Sequence, residues 1–152
     1  MPNLRDYHIF ISHSWDYNNH YQRICDWLNN ASYFDWTNYS VPVERPLDVK
    51  GTNDLKDKLR QRISNSSCVI IMSGMYVDYS EWIDFEINTA VSFNKPIIGI
   101  EPWGQERVPT KVQEAAKKMV GWNSSSVIDA VRTYALSPRK FYKKIFANSI
   151  RL

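Results

Sequence analysis

Glycine is scarce in this chain, five in 152 residues, and none of the glycine motifs that cradle phosphates is present. There is no GxxxxGK[ST] loop and no GxGxxG, which removes the two most familiar nucleotide-phosphate motifs. GxSxG is missing too, so there is no nucleophile elbow of the α/β-hydrolase kind. Cysteine is scarcer still. Cys25 and Cys68 are far apart, belong to no CxxC, and fit a reduced, cytoplasmic setting. No cysteine or carboxylate stands at metal-ligand spacing from His8, His13 or His20, so no metal site is expected. No apolar run reaches the roughly 18 residues of a membrane-spanning helix. The opening "MPNLRDYHIFIS" enters a strand pattern without the apolar core of a signal peptide. A formal net charge of +3 is too small to call for nucleic acid.

What is present is an apolar fraction of 43%, enough to fold one domain with one core, and an aromatic fraction of 14% with six Trp and nine Tyr. "DYHIFIS" (6–12) reads as a mostly buried strand, and 19–31 as a helix through Tyr21, Ile24 and Leu28. "YSVPV" (39–43) reads as a short edge strand because of Pro42. Thr52 is a candidate N-cap for a helix carrying Leu55, Leu59 and Ile63. "CVIIM" (68–72) is a five-residue apolar run of the central parallel-strand type. "SGMYVDY" reads as a loop, and Ser80 as the cap of a helix running to about Phe93. "KPIIGI" (95–100) is a further buried strand. A helix over 110–118, a short strand over 119–122 and a capped helix over 124–136 complete the series.

Strands and helices alternate five times, which predicts an α/β fold. The expected form is a flavodoxin-like five-stranded parallel sheet in the order 2-1-3-4-5, with helices on both faces and right-handed crossovers. The domain is expected over 1–136. Residues 137–152, "SPRKFYKKIFANSIRL", form a basic C-terminal extension whose apolar spacing suggests an amphipathic helix.

One carboxylate is out of place. At about 100° per residue, Trp82, Phe93, Glu86, Ala90, Ile83 and Ile87 fall within an arc of about 140°. Glu86 thus lies inside the apolar stripe of its helix, near the crevice at the carboxyl ends of the strands where open parallel sheets bind ligands. Either it bonds a loop or a neighbouring arginine as a structural group, or it is a poorly solvated carboxylate aimed at a ligand. Trp82, four residues earlier, shares its face. "FISHSWD" (10–16) closes the first strand at the same crevice. There Ser12, His13 and Ser14 offer short polar groups and Trp15 a stacking surface; His13 is either a general base or a loop residue. Two rival chemistries of the fold fail on the residues. A phospho-acceptor domain needs acidic groups after the first and third strands, but these ends read "ISHS" and "IIMSG". A flavodoxin phosphate loop needs glycine where "SHSWDYNN" has none.

"YHIFISHSWD", the loop near "ERPLDVKG" and, above all, "EWIDFEINTAVSFNKPIIGI" resemble TIR domains, and most closely the TIR-like group of the bacterial Thoeris anti-phage system. The resemblance covers about residues 5–136. Catalytic TIR domains carry a Trp and, four residues later, the catalytic Glu on the helix after the third strand. Trp82 and Glu86 occupy those places, followed by Ala90 and Lys95-Pro96-Ile97. Phe10-Ile11-Ser12 matches the first-strand signature, with His13 where many members have Tyr.

The resemblance implies cleavage of the nicotinamide–ribose bond of NAD as substrate rather than cofactor. Glu86 would be catalytic, and Trp82, Phe10, Ser12, His13, Ser14 and Trp15 would bind substrate. A cyclic ADP-ribose-type product would act as a second messenger for a separate effector. Self-association through the loop at about 43–53 is the accompanying expectation, with a homo-oligomer as its result. The alternative is a non-catalytic TIR adaptor that works by self-association alone.

Overall fold

The computed structural model describes residues 5–12, 17–41, 52–102 and 107–137. Within these, five strands are interleaved with five helices. They are β1 (Asp6–Ile11), α1 (Asn18–Asn30), β2 (Asp35–Asn38), α2 (Thr52–Ser64), β3 (Cys68–Met72), α3 (Tyr76–Ser92), β4 (Ile97–Ile100), α4 (Thr110–Ala115), β5 (Lys118–Val120) and α5 (Ser124–Tyr134). All pairings are parallel and the order is β2-β1-β3-β4-β5, as expected from the alternation. β3 is buried at every position and so is β4, which is why both read as unbroken apolar runs. Helices α1 and α5 pack on one another, and α2, α3 and α4 pack in sequence through α3. The core is made mainly by Ile9, Phe10 and Ile11 of β1, by β3 and β4, and by Ile24, Leu28, Ile63, Ile83, Ile87, Val112, Val127 and Val131 from the helices. Of the basic extension expected at 137–152, residues 138–152 lie outside the described residues, and so do residues 42–51, which hold most of the loop expected at about 43–53.

Two elements differ from their sequence reading. The second strand is Asp35–Asn38; of the stretch 39–43 read as strand, residues 39–41 are not strand and 42–43 lie outside the described residues. The ladder ends just after it: the Tyr39 N–H donates to the Ile9 carbonyl at 2.8 Å, and the next amide of β1, that of Ile11, donates to the Ser40 hydroxyl at 2.9 Å. A side chain has replaced the strand carbonyl, so pairing stops although Val41 is buried. At Val41 the apolar signal marked burial rather than strand.

The second difference lies before α3. The stretch read as a loop is a single 3-10 turn, Ser73–Met75, leading into α3 at Tyr76. Ser80 is therefore no N-cap. The break that its sequence signature marked is a kink one residue earlier, where Tyr79 has φ −131° and ψ 30° inside the helix. Burial of Met75 and a bond from the Tyr76 hydroxyl across the kink to Asp84 Oδ1 (2.9 Å) hold the extra turn in place.

Candidate active site

Glu86 lies on the core-facing side of α3, eleventh in the helix, and is only 5% exposed. Counted from Tyr76 it sits further along than a helix starting at Ser80 implies. Its partner nonetheless fixes it at the carboxyl edge of the sheet: its carboxyl group is hydrogen-bonded by the side chain of Ser12, the residue directly after β1. Ser12 is 1% exposed, and its own amide donates to the Ile70 carbonyl at 2.9 Å, which locks it to β3. The second carboxylate oxygen, Glu86 Oε2, is shut away from solvent with no hydrogen-bond partner among the described residues. Burial pushes the Glu86 carboxyl up to about 7, and the Ser12 hydroxyl pulls in the opposite direction.

A buried, incompletely bonded carboxylate is expensive to keep unless something uses it. The groups around it do not neutralise it. On its own helix Asp84 is bonded by Tyr76 and Glu81 faces solvent. Lys111 of α4 donates to Asn88, and Lys56 and Arg60 of α2 lie over the ring of Phe85. The structural alternative of a glutamate paired with an arginine therefore finds no arginine among the described residues.

Of the other residues read as site candidates, Trp82 is half-buried one turn before Glu86 and packs against the core. Phe10 is 1% exposed and belongs to the core under the site rather than to its lining. His13, Ser14 and Trp15 lie outside the described residues. Phe93, placed beside Glu86 by helical spacing, is 42% exposed. The helix has ended at Ser92, so the 100° step no longer applies to it.

The rim of the crevice holds residues that the sequence reading did not single out. Tyr17, at the start of α1, meets Tyr79 edge-on at 6.1 Å and donates to Asp78 Oδ2 at 2.9 Å. These contacts join the segments after β1 and β3, where the strand order reverses, the usual ligand position in such sheets. His20 contacts Tyr17 at 5.8 Å and Trp122 at 5.4 Å, and Trp122 contacts Trp27 at 4.8 Å. Burial, and secondarily Arg23, lowers the pKa of His20, so its imidazole is neutral at pH 7. The one signal in the sequence was position: Tyr17 and Trp122 each follow a strand end within a few residues. Neither cysteine serves as a nucleophile. Both are buried, with the Cys68 thiol pushed up to about 12 and that of Cys25 also raised.

Residues 10–107 match the profile of the TIR-like domain of the Thoeris protein ThsB. The chain belongs to this family. It is thus a defence-related TIR-like domain of the Thoeris type. No curated protein matches it. Among solved structures the TIR-like domain is similar to the CMP N-glycosidase BcmB of Clostridium botulinum, at 14% identity and a TM-score of 0.52 over 83% of this chain and 98% of that one. It is also similar to a 3-dehydroquinate dehydratase-like protein of Bifidobacterium longum, at 8% identity and a TM-score of 0.47 over 86% and 94% of the two chains. At these identities the likeness to BcmB concerns the fold alone. Among the described residues no helix is long and apolar enough to cross a membrane, and no three His, Cys, Asp or Glu side chains gather as a metal site.

Proposed function

We propose that this TIR-like domain cleaves the nicotinamide–ribose bond of NAD with Glu86 as its catalytic carboxylate. The observation that carries the reading is Glu86 Oε2: a carboxylate oxygen without a partner among the described residues, in apolar surroundings, at the ligand-binding edge of the sheet. The nicotinamide ring of NAD is a cation. As the bond from the ribose C1′ to the ring nitrogen breaks, its electron pair leaves with neutral nicotinamide and positive charge moves onto the ribose. A carboxylate in a site closed to water stabilises that charge far more than one in solvent. The pyridinium of bound NAD would also draw the Glu86 carboxyl down from about 7 into its charged form.

A further oxygen or nitrogen of the same ADP-ribose then bonds to C1′ and releases a proton, closing a cyclic product that serves as the messenger for a separate effector. A homo-oligomer in the cytoplasm is the form in which we expect the enzyme to act. Membership of the Thoeris family supports the defence role, and the likeness in fold to a CMP N-glycosidase is in keeping with a glycohydrolase reading.

The test is incubation of the protein with NAD and chromatography for nicotinamide, beside Glu86→Gln as control. Release by the wild type and not by the variant supports the assignment. Equal release by both removes Glu86 from the chemistry. No release by either, with the protein folded and assembled, favours an adaptor.

A further inference from the structure

We infer that Ser12 is the positioning residue of this centre: its hydroxyl holds the Glu86 carboxylate by one oxygen and leaves Oε2 as the oxygen presented to the ligand. The inference rests on the reading of Glu86 as the working carboxylate, but it changes the part given to Ser12, which the sequence reading placed against substrate. At 1% exposure Ser12 has almost no surface for a ligand, and its side chain bonds Glu86 instead. The arrangement is rigid at both ends. Ser12 is fixed by its amide to the Ile70 carbonyl of β3, and Glu86 by a helix turn whose neighbours Ile83, Ile87 and Ala90 are all buried.

A carboxylate bonded through one oxygen cannot rotate freely, so the direction of the other is set before a ligand arrives. Pre-set direction of this kind is a large part of what an active site contributes to rate. The hydroxyl also favours the charged form, because it donates to a carboxylate better than to a carboxylic acid. No other described group shares this task. Asp84 and Glu81 on α3, Lys111 on α4, Lys56 and Arg60 on α2, Lys95 after α3 and Glu101 after β4 are the charged groups nearby, and among the described residues the causes that move the Glu86 carboxyl are burial and Ser12.

The experiment compares wild type, Ser12→Ala and Ser12→Thr for nicotinamide release from NAD between pH 6 and 9. A second readout needs no turnover: infrared titration of the Glu86 carboxyl band, identified by its loss in Glu86→Gln. Without the hydroxyl the carboxyl should titrate about one pH unit higher. The acid limb of kcat/KM, which reports the free enzyme, should then move up by the same amount in Ser12→Ala. The value of kcat/KM should be roughly fivefold low at pH 7 and approach its own plateau by pH 9, where KM for NAD is nearly unchanged. Ser12→Thr, which keeps the hydroxyl, should restore the wild-type limb.

A Ser12→Ala enzyme whose rate falls by the same factor at every pH, with the carboxyl band titrating as in wild type, would overturn the proposal and make Ser12 a packing residue. So would a rise in KM at pH 9, above the limb, with kcat unmoved, which would return Ser12 to substrate binding. If the wild type releases no nicotinamide, the reading of Glu86 fails by that result. The infrared titration then decides Ser12 by itself: an upward move in Ser12→Ala keeps it as the group that holds the carboxylate, and no move removes it.

Discussion

At the amino-terminal edge of the sheet, polar side chains are tied to backbone. Ser67 accepts from the His8 N–H and donates to the His8 carbonyl, each at 2.9 Å, while its own carbonyl accepts from the Leu136 N–H at 2.9 Å. The buried Ser66 hydroxyl donates to the Ile63 carbonyl at 2.7 Å, and the half-buried Arg5 guanidinium donates to the carbonyls of Ala135 and Leu136 and leaves its buried Nε without a partner among the described residues. These bonds fasten β1, the end of α2 and the end of α5 together. At the carboxyl-terminal edge, Glu86 takes one bond from Ser12 and keeps an oxygen in reserve. The difference separates two uses of buried polarity. A side chain whose bonds all end on backbone belongs to the fold. One that is equally buried yet incompletely bonded costs stability, and the fold alone gives no reason to keep it.

The largest effect expected from breaking this contrast is on chemistry. Glu86→Gln preserves size and removes the charge, and should lower nicotinamide release by a factor of about 100 to 1,000. Its melting temperature at pH 7 should stay close to wild type, because the new amide leaves N–H donors unbonded in place of a strained charge. Chromatography on matched samples beside thermal melting checks both halves.

The next effect is on stability against pH. Glu86 titrates at about 7 folded and near its ordinary 4.5 unfolded. Between those values the folded chain holds the extra proton, so stability should fall as pH rises from about 4.5 through 7 and level off above it. The total is about 3 kcal/mol. Glu86→Gln should flatten that slope, as measured by urea unfolding at a series of pH values. A Ser67 variant should leave it intact. A wild-type curve that rises over this window would show that the carboxyl is not protonated by burial.

Turned to the amino edge, the same comparison predicts the reverse pattern. Ser67→Ala leaves the His8 N–H without its partner and should cost about 1–2 kcal/mol of stability while nicotinamide release per folded molecule is unchanged. Loss of activity at constant stability would mean that the two edges are coupled.

Much of this was legible in the residues, and the reasons differ by element. β3 and β4 are buried on both faces, so five and four consecutive apolar residues announced them. Glu86 was visible because helical periodicity is strict enough to make one misplaced carboxylate stand out. β2 was misplaced because its four residues, Asp-Trp-Thr-Asn, are mostly exposed and carry no apolar alternation. The kink at Tyr79 looked like a helix start because a serine follows it, while the tertiary bond from Tyr76 to Asp84 that carries the helix through has no local signature. The bond between Ser12 and Glu86 and the contacts of the rim aromatics were hidden for the same reason. Each depends on which side chain meets which across the β1–β3 switch, and spacing along the chain does not encode that.

The smallest prediction sharpens the contrast from the other side, because not every polar group at the carboxyl edge serves the site. Asn123 follows β5 and stands at that edge, yet its carbonyl oxygen is bonded to backbone: it accepts from the Ser126 N–H at 2.9 Å as the N-cap of α5, and also from the Ser125 hydroxyl at 3.0 Å. By the rule drawn from Ser67 and Glu86 it belongs to the fold. Asn123→Ala should therefore cost about 1 kcal/mol, the usual cost of a lost cap. That lowers the melting temperature by about 2–4 °C for a domain of this size. Asn123→Ser should recover most of the loss, since serine caps about as well. Nicotinamide release per folded molecule should match wild type in both variants. The neighbouring Trp122 makes this a demanding test, because its ring contacts His20 and Trp27 at the same rim. If Asn123→Ala lowers turnover while Asn123→Ser restores the cap but not the turnover, the amide touches the ligand. Position at the edge would then matter more than whether a side chain's bonds end on backbone.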